Sequence, residues 1–238
     1  MHAIPGLGTI VNVLAILAGG IIGTLFGGHI PERVRQTLNA GAAVTVLFIG
    51  IGGTLQRMLV FENGTLQTSG TMMMIFSLAI GGVLGEIINI DRRMEQFGEW
   101  LKKKTGSTRD PEFVNAFVDT SLTVCIGAMA IVGSIQDGIY ADHSILFAKA
   151  ILDMVIVMVM AASKGKGCTF SAIPVGVLQG SCTLMAAAVS SLISDHAMAG
   201  LSYIGSILIF CVGLNLLFGR KVRVANLLPA LIVAALWP

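Results

Sequence analysis

The sequence predicts an all-α protein that crosses a membrane several times. Of its 238 residues, 55% are hydrophobic and only 12% are charged, and the mean hydropathy is +0.85. A soluble domain carries about 25% charged residues, so this chain has too few charges to cover a surface that faces water. The charges are also clustered, which leaves uncharged stretches of roughly 18 residues or more, enough for a helix to cross ~30 Å of hydrocarbon. The alternating pattern of a transmembrane β-barrel is absent from the sequence.

Hydropathy and helix-breaking residues predict seven or eight membrane-spanning segments in one integral-membrane domain over residues 1–238. The segments are residues 9–28, 40–56, 70–90, 112–136, 144–163, 168–193, 200–219 and 225–238. The first follows MHAIPGLG, which lacks the basic residues of a cleaved signal peptide, so we expect it to stay in the membrane. The last is short and contains Pro229, so we expect a partial span there.

The basic residues predict the orientation of the chain. Of the 15 lysines and arginines, 13 lie in four connections that fall on the same side of the predicted membrane, namely 29–39, 91–111, 164–167 and 220–223. Cytoplasmic loops carry an excess of Lys and Arg. We therefore expect these loops in the cytoplasm and the N-terminus outside. On the outer side, residues 58–68 predict a β-hairpin with a type I′ turn at Asn63-Gly64.

A Gly-x-x-Gln pattern recurs at the predicted outer ends of the second, fourth and sixth segments. Its glutamines are Gln56, Gln136 and Gln179. Together with the related stretches GGIIG in the first segment and GGVLG in the third, the pattern predicts four repeated hairpins, at about 9–57, 70–137, 144–193 and 200–238. The glutamines have two open interpretations: helix-end groups with a structural role, or amides gathered around one outer vestibule.

Two ridges of glycine indicate close helix packing. The first consists of Gly19, Gly23 and Gly27, and the second of Gly81 and Gly85. Small residues four apart let the backbones of two helices approach closely in lipid, where apolar side chains gain little by merely meeting each other. We expect these ridges to be packing surfaces.

The strongest functional candidates are Lys149 and Asp153, which lie four residues apart within a predicted span and so share a helix face. Asp153 falls near the middle of the membrane, where a lone charge costs at least ~2.5–3.5 kcal/mol on insertion scales. The pair has two open interpretations: an ion-coupling or solute site, or a structural ion pair. Further candidates for a polar path are Asp119, Glu86, Asn12 and Asn215.

Neither an enzyme nor a cofactor is expected. The four cysteines and four histidines show no metal-ligand spacing, and there is no nucleophile motif. The sequence also lacks a glycine-rich nucleotide loop, so ATP-driven transport is not expected. Nucleic acid is not an expected partner either, whereas the lipid bilayer is, and a homo-oligomer stays open.

Four blocks of sequence carry a family resemblance. They are TIVNVLAILAGGIIGTLFG, FSLAIGGVLGEIINID, CIGAMAIVGSIQDG and KAILDMVIVMVMA, in this order. Over nearly the whole chain they resemble the bacterial membrane-protein family called domain of unknown function 554. The resemblance implies a protein of the bacterial inner membrane for which transport is the expectation, and it assigns no functional residues.

These observations predict a permease or channel for a small solute or ion, with a polar path lined by intramembrane charged and amide residues. The alternative is a membrane scaffold or regulator that transports nothing and binds a partner or anionic lipids through its basic loop.

Overall fold

The computed structural model of the chain describes residues 5–27, 31–62, 64–126, 128–186 and 194–237. Helices make up most of these residues, which confirms the all-α membrane fold. The α-helices are α1 (Leu7–Gly27), α2 (Glu32–Met58), α3 (Thr71–Ile88), α4 (Ile90–Lys104), α5 (Phe113–Cys125), α6 (Ala128–Tyr140), α7 (Ser144–Lys164), α8 (Ala172–Leu184), α9 (Asp195–Phe218) and α10 (Pro229–Ala235). Two 3-10 helices, Lys166–Ser171 and Val224–Leu227, precede α8 and α10.

The helices that can span a membrane are fewer than predicted. Within the described residues, five are long and apolar enough, namely Leu7–Gly27, Gln36–Met58, Thr71–Ile88, Ser144–Lys164 and His196–Phe218. A sixth span is formed if Phe113–Cys125 and Met129–Tyr140, which meet at 75°, count as one. The prediction of seven or eight is therefore too high.

The two segments responsible for the difference contain short helices. Residues 168–193 were expected to span, but α8 has only 13 residues, about 20 Å of helix against the ~30 Å of a hydrocarbon core. Residues 187–193 lie outside the described part of the chain. In the last segment, α10 has seven residues and begins at Pro229. A preceding 3-10 helix takes up the first part of each segment, which hydropathy alone does not reveal.

The predicted hairpin is present. Strands β1 (Leu59–Glu62) and β2 (Thr65–Thr68) pair antiparallel, with Glu62 opposite Thr65. Gly64 has φ +77°, a left-handed conformation that favours glycine. Asn63, the other turn residue of the prediction, lies outside the described residues.

The chain forms two compact units. Unit 1 comprises Met1–Ala42, Met94–Cys125 and Met129–Leu192, and unit 2 comprises Ala43–Arg93, Ile126–Ala128 and Ile193–Pro238. Both units are thus assembled from segments that are far apart in sequence.

In unit 1, α1 runs parallel to α7 along the first glycine ridge. A Cβ atom at Gly19, Gly23 or Gly27 would meet the backbone carbonyl of Met154, Met158 or Ala162 in turn. The ridge is therefore the packing surface that the sequence predicts. Helix α8 runs antiparallel to α1 on another side, because Gly20 contacts Thr169 while Thr9 bonds Thr183.

In unit 2, α3 packs in a similar way against the short α10 and the 3-10 helix before it. A Cβ atom at Gly81 would meet Ala230, and one at Gly85 would meet the carbonyl of Asn226. The ring of Phe76 stacks on that of Trp237, with centroids 5.8 Å apart. The second ridge is thus also a packing surface.

Candidate functional site

The centre of unit 1 contains a buried ion pair on α7. Lys149 Nζ lies 2.9 Å from Asp153 Oδ1 and 2.8 Å from Oδ2, and the two residues are only 7% and 3% exposed. The one-turn spacing places both side chains on one face of the helix, as the sequence predicts. Because each charge has the other as partner, the pair can persist away from water.

Two amide side chains from neighbouring helices complete the surroundings of Asp153. Asn12 of α1 donates from Nδ2 to Asp153 Oδ2 at 3.1 Å and to Gln179 Oε1 of α8 at 3.2 Å. Both amide residues are 0% exposed. Four of the nine path residues predicted from sequence, on three different helices, therefore meet in one place.

The ion pair also contacts the end of a broken helix. Lys149 Nζ donates to the backbone carbonyl of Val124 at 2.8 Å, one residue before α5 ends at Cys125. Helix α6 then begins at Ala128 in a direction 75° away. The last carbonyls of a helix are unpaired and carry partial negative charge, so they attract a cation. We call Asn12, Lys149, Asp153, Gln179 and the Val124 carbonyl the central cluster.

The central cluster has no net formal charge and two polar atoms to spare. Asn12 Oδ1 and Gln179 Nε2 are buried and have no hydrogen-bond partner among the described residues. One is an acceptor and the other a donor. Buried polar groups usually have partners, and one without a partner calls for a specific explanation. Chemically, the cluster can bind a group that offers both a donor and an acceptor.

A second buried carboxylate, Asp137 of α6, lies at the N-terminus of α1. It accepts the backbone N–H groups of Gly6 at 3.2 Å and Thr9 at 3.3 Å, and its Oδ1 lies 2.6 Å from His143 Nδ1. The carboxylate thus binds the free amides of the first turn of α1. Because the predicted fourth segment ends at residue 136, the sequence does not predict this role for Asp137. The two glycines Gly133 and Gly138, which let α6 pack closely, are the available signal.

Asp119 is buried, as its position in a predicted span suggests, but it lies outside the central cluster. Its Oδ2 lies 2.6 Å from Nζ of Lys164, the last residue of α7. Lys164 is 11 residues after Asp153, about 16 Å along the helix. Among the described residues, unit 1 thus has two Lys–Asp ion pairs on α7, one near its middle and one at its end, and the sequence predicts the partners of only the first.

Glu86 and Asn215 lie at the basic end of unit 2. Glu86 is exposed and pairs with Arg223 at 3.0 Å. Asn215 accepts the backbone N–H groups of Lys221 and Val222 and donates to the carbonyl of Val222, so it orders the turn after α9. These contacts favour a structural role for both residues.

The three repeated glutamines have different surroundings. Gln179 belongs to the central cluster, whereas Gln136 is half-buried on α6 and makes none of the hydrogen bonds described for that cluster. Gln56 is exposed in unit 2, where it lines a cavity together with Arg57, His196 and Tyr203. A common vestibule for the three amides stays a prediction. Within the described residues, no group of three His, Cys, Asp or Glu side chains could hold a metal ion.

Comparisons with known proteins identify a family and two relatives that match nearly the whole chain. The family model described as "Protein of unknown function (DUF554)" matches residues 7–238. The uncharacterized membrane protein YdfK of Bacillus subtilis (strain 168) is 30% identical over 226 residues, which cover 95% of this chain and 93% of the relative. The uncharacterized protein YqgA of Escherichia coli (strain K12) is 27% identical over 235 residues, 96% of this chain and 94% of the relative. No solved structure matches.

Proposed function

The chain belongs to the DUF554 family, and from the geometry of unit 1 we propose that it is a permease or channel for a small solute or ion. The protein is a membrane protein with several apolar helices. A solute that it carries would therefore cross the hydrocarbon core of the membrane. In the proposal, the basic loops face the cytoplasm across a bacterial inner membrane, as the positive-inside rule predicts.

The observation that carries the proposal is the central cluster beside the break between α5 and α6. Intramembrane charges are costly and commonly mark ion or substrate pathways. Secondary transporters place their sites where discontinuous helices expose polar backbone near the middle of the membrane. Here Lys149 bonds the end of such a helix and Asp153 accepts a hydrogen bond from Asn12, so charged groups and polar backbone are present together.

The test begins with ligand binding to the purified protein in detergent. Thermal stability is measured against a panel of amino acids, organic acids and inorganic ions, for the parent and for a Lys149→Met, Asp153→Leu double variant. A ligand that binds only the folded state raises stability by about 2.7 kcal/mol at a hundredfold excess over Kd. We expect a selective shift in the parent that the still-folded double variant lacks. The ligand that shifts is then tested for flux in liposomes.

The alternative of a scaffold rests on the fact that Lys149 and Asp153 already satisfy each other. Under that alternative, no ligand on the panel shifts the thermal stability of the parent or of the double variant, and liposomes show no flux above empty ones. This combination of results would contradict the permease.

A further inference from the structure

We infer that the central cluster binds a small zwitterion of the chemical class of the α-amino acids, which inserts between Lys149 and Asp153. The inference rests on the proposed function and goes further, because it names the substrate class of the same site. It follows from the charge of the cluster and from the polarity of its two spare atoms.

The net charge of the central cluster favours a zwitterion. The cluster contains one ammonium and one carboxylate, so it has no net formal charge. A zwitterion replaces one internal ion pair by two pairs, its carboxylate with Lys149 and its ammonium with Asp153. Every buried charge then keeps a partner. An anion would occupy Lys149 and leave Asp153 without a cation, while a cation would leave Lys149 without an anion, and an unpaired buried charge is strongly unfavourable.

The two amide side chains offer one spare atom to each end of a zwitterion. Asn12 Oδ1 is a buried acceptor and Gln179 Nε2 a buried donor, and neither has a partner within the described residues. An ammonium can donate to the former and a carboxylate can accept from the latter. Since Asn12 already bonds Asp153, the acceptor lies next to the anionic member of the pair. The spare acceptor Asn12 Oδ1 thus suits the ammonium of the ligand, as Asp153 does, and the spare donor Gln179 Nε2 suits its carboxylate, as Lys149 does.

Movement of the Lys149 side chain makes room for the ligand. Lys149 has a flexible four-carbon stem, so its ammonium can move away from Asp153 as the carboxylate of the ligand takes the place of that partner. The carbonyl of Val124, 2.8 Å from Nζ, can retain the ammonium during this movement. Asp153 is held from the other side by Asn12. The pair can thus open on the side of Lys149 while both groups remain bonded.

The experiment compares ligands that differ by one charged group. L-alanine has both groups, propionate is alanine without its ammonium, and ethylamine is alanine without its carboxylate. Thermal stability of the full chain in detergent is measured with each of these, then with the other standard L-amino acids singly. We expect at least one amino acid to raise the melting temperature, and neither propionate nor ethylamine to do so at the same concentration.

Two matched variants place the binding at the cluster. Gln179→Met removes the spare donor with little change of volume, and we expect it to weaken amino-acid binding roughly tenfold to hundredfold, the usual effect of losing a hydrogen bond to a charged group. Gln67→Met makes the same substitution at an exposed hairpin residue and should bind as the parent does. Asp153→Asn removes the negative charge, so in this variant propionate should bind better than alanine.

The outcomes separate the inference from the proposed function. If propionate, ethylamine or an inorganic ion shifts the parent and is carried in liposomes while no amino acid does either, the zwitterion is wrong and the permease stands. If an amino acid binds equally well to the parent and to Gln179→Met, its site is elsewhere and the inference fails. If no ligand of any charge class binds or is carried, both fail together.

Discussion

Units 1 and 2 are built from the same parts in the same order. In each, a helix with a Gly-Gly-x-x-Gly stretch, α1 or α3, is joined much later in the sequence by a long helix, α7 or α9. The long helix ends at a glycine of positive φ, Gly165 or Gly219, and a 3-10 helix and a short helix follow. In both units the short helix runs antiparallel to the glycine helix.

The centres of the two units differ in chemistry. Positions can be matched by counting from Gly19 and Gly81, from Gly165 and Gly219, and from Pro174 and Pro229. Asn12, Lys149, Asp153 and Gln179 then correspond in order to Met74, Tyr203, Ile207 and Ala234. In unit 2 the matched residues make one weak polar contact, from Tyr203 Oη to Met74 Sδ at 3.7 Å.

The comparison teaches that a glycine helix, a long helix and a short helix can pack together without a polar centre. Unit 2 does so with apolar and weakly polar residues at the matched positions, although its ridge glycines face the short helix and the 3-10 helix before it, and those of unit 1 face the long one. Packing of this kind therefore does not by itself account for the charges and amides of unit 1, and they are the part that calls for a functional explanation.

The largest expected effect tests whether unit 1 needs its two buried charges to fold. Asp153→Leu leaves Lys149 buried without an anion, so we expect the free energy of unfolding to fall by about 3–5 kcal/mol. The double variant Lys149→Met, Asp153→Leu removes both charges and leaves Asn12 bonded to Gln179, so no charge of the pair is left without its partner and we expect its stability to lie near that of the parent. Thermal unfolding of the single and double variants measures both. A double variant as unstable as the single one would mean that unit 1 needs its charges to fold.

The next effect should be common to both units. Gly23→Leu and Gly85→Leu each place side-chain atoms against a backbone carbonyl, of Met158 or Asn226, and overpacking of this kind costs about 1–3 kcal/mol or more. Gly52→Ala on α2 is the control, because a Cβ atom there meets no described atom within 4 Å and alanine favours helix over glycine by about 0.5–1 kcal/mol. If only one of the two leucine variants loses stability, close packing through the glycines is not common to both units.

A smaller effect distinguishes the basic ends of the units. Lys164→Met leaves the buried Asp119 without its cation, and we expect a loss of about 1–3 kcal/mol. Arg223→Met removes the partner of Glu86, but these side chains are 68% and 50% exposed, so water replaces the contact and little change is expected. Thermal unfolding at low and high salt checks both variants. An equal loss in the two would show that exposure does not decide the strength of these pairs.

The smallest effect concerns the beginnings of α7 and α9. Asp142 accepts the backbone N–H and the hydroxyl of Ser144, and these bonds, the hydroxyl first, hold the pKa of its carboxyl below the usual 3.8. Because the folded pKa is lowered, the stabilisation is present above pH 3.8 and is lost as the pH falls through the folded value. Helix α9 is capped by Ser194, which does not titrate.

Hydrogen exchange of the first-turn amides measures this difference. Protection at the start of α7 should decrease in acid relative to that of an Asp142→Asn variant, whereas the start of α9 should be the same in both proteins. Equal acid sensitivity of the α7 amides in parent and variant would rule out Asp142 as the cause.

The sequence predicts the part of the site that depends on helical periodicity. Lys149 and Asp153 share a face because they are four residues apart, and the glycine ridges are packing surfaces because small residues recur at the same interval. The hairpin follows from a two-residue turn. Each of these features is local, so spacing alone is enough to predict it.

The remaining features depend on contacts between distant segments. Asp137 is buried because it caps a helix more than 120 residues earlier in the chain, and Asp119 pairs with a lysine 45 residues later. The break between α5 and α6 lies inside a continuous apolar stretch, so hydropathy predicts one span. The 3-10 helices shorten two further segments in the same way.

The interleaving of the two units in sequence has a consequence for biosynthesis. Helix α1 ends at Gly27 and its partner α7 begins at Ser144, so at about 5–20 residues per second the ribosome needs roughly 6–23 s to supply it. During that interval Asn12 has already been synthesised and Asp153, the carboxylate that it bonds, has not. Assembly of the central cluster therefore has to wait until the ribosome has supplied α7 and α8.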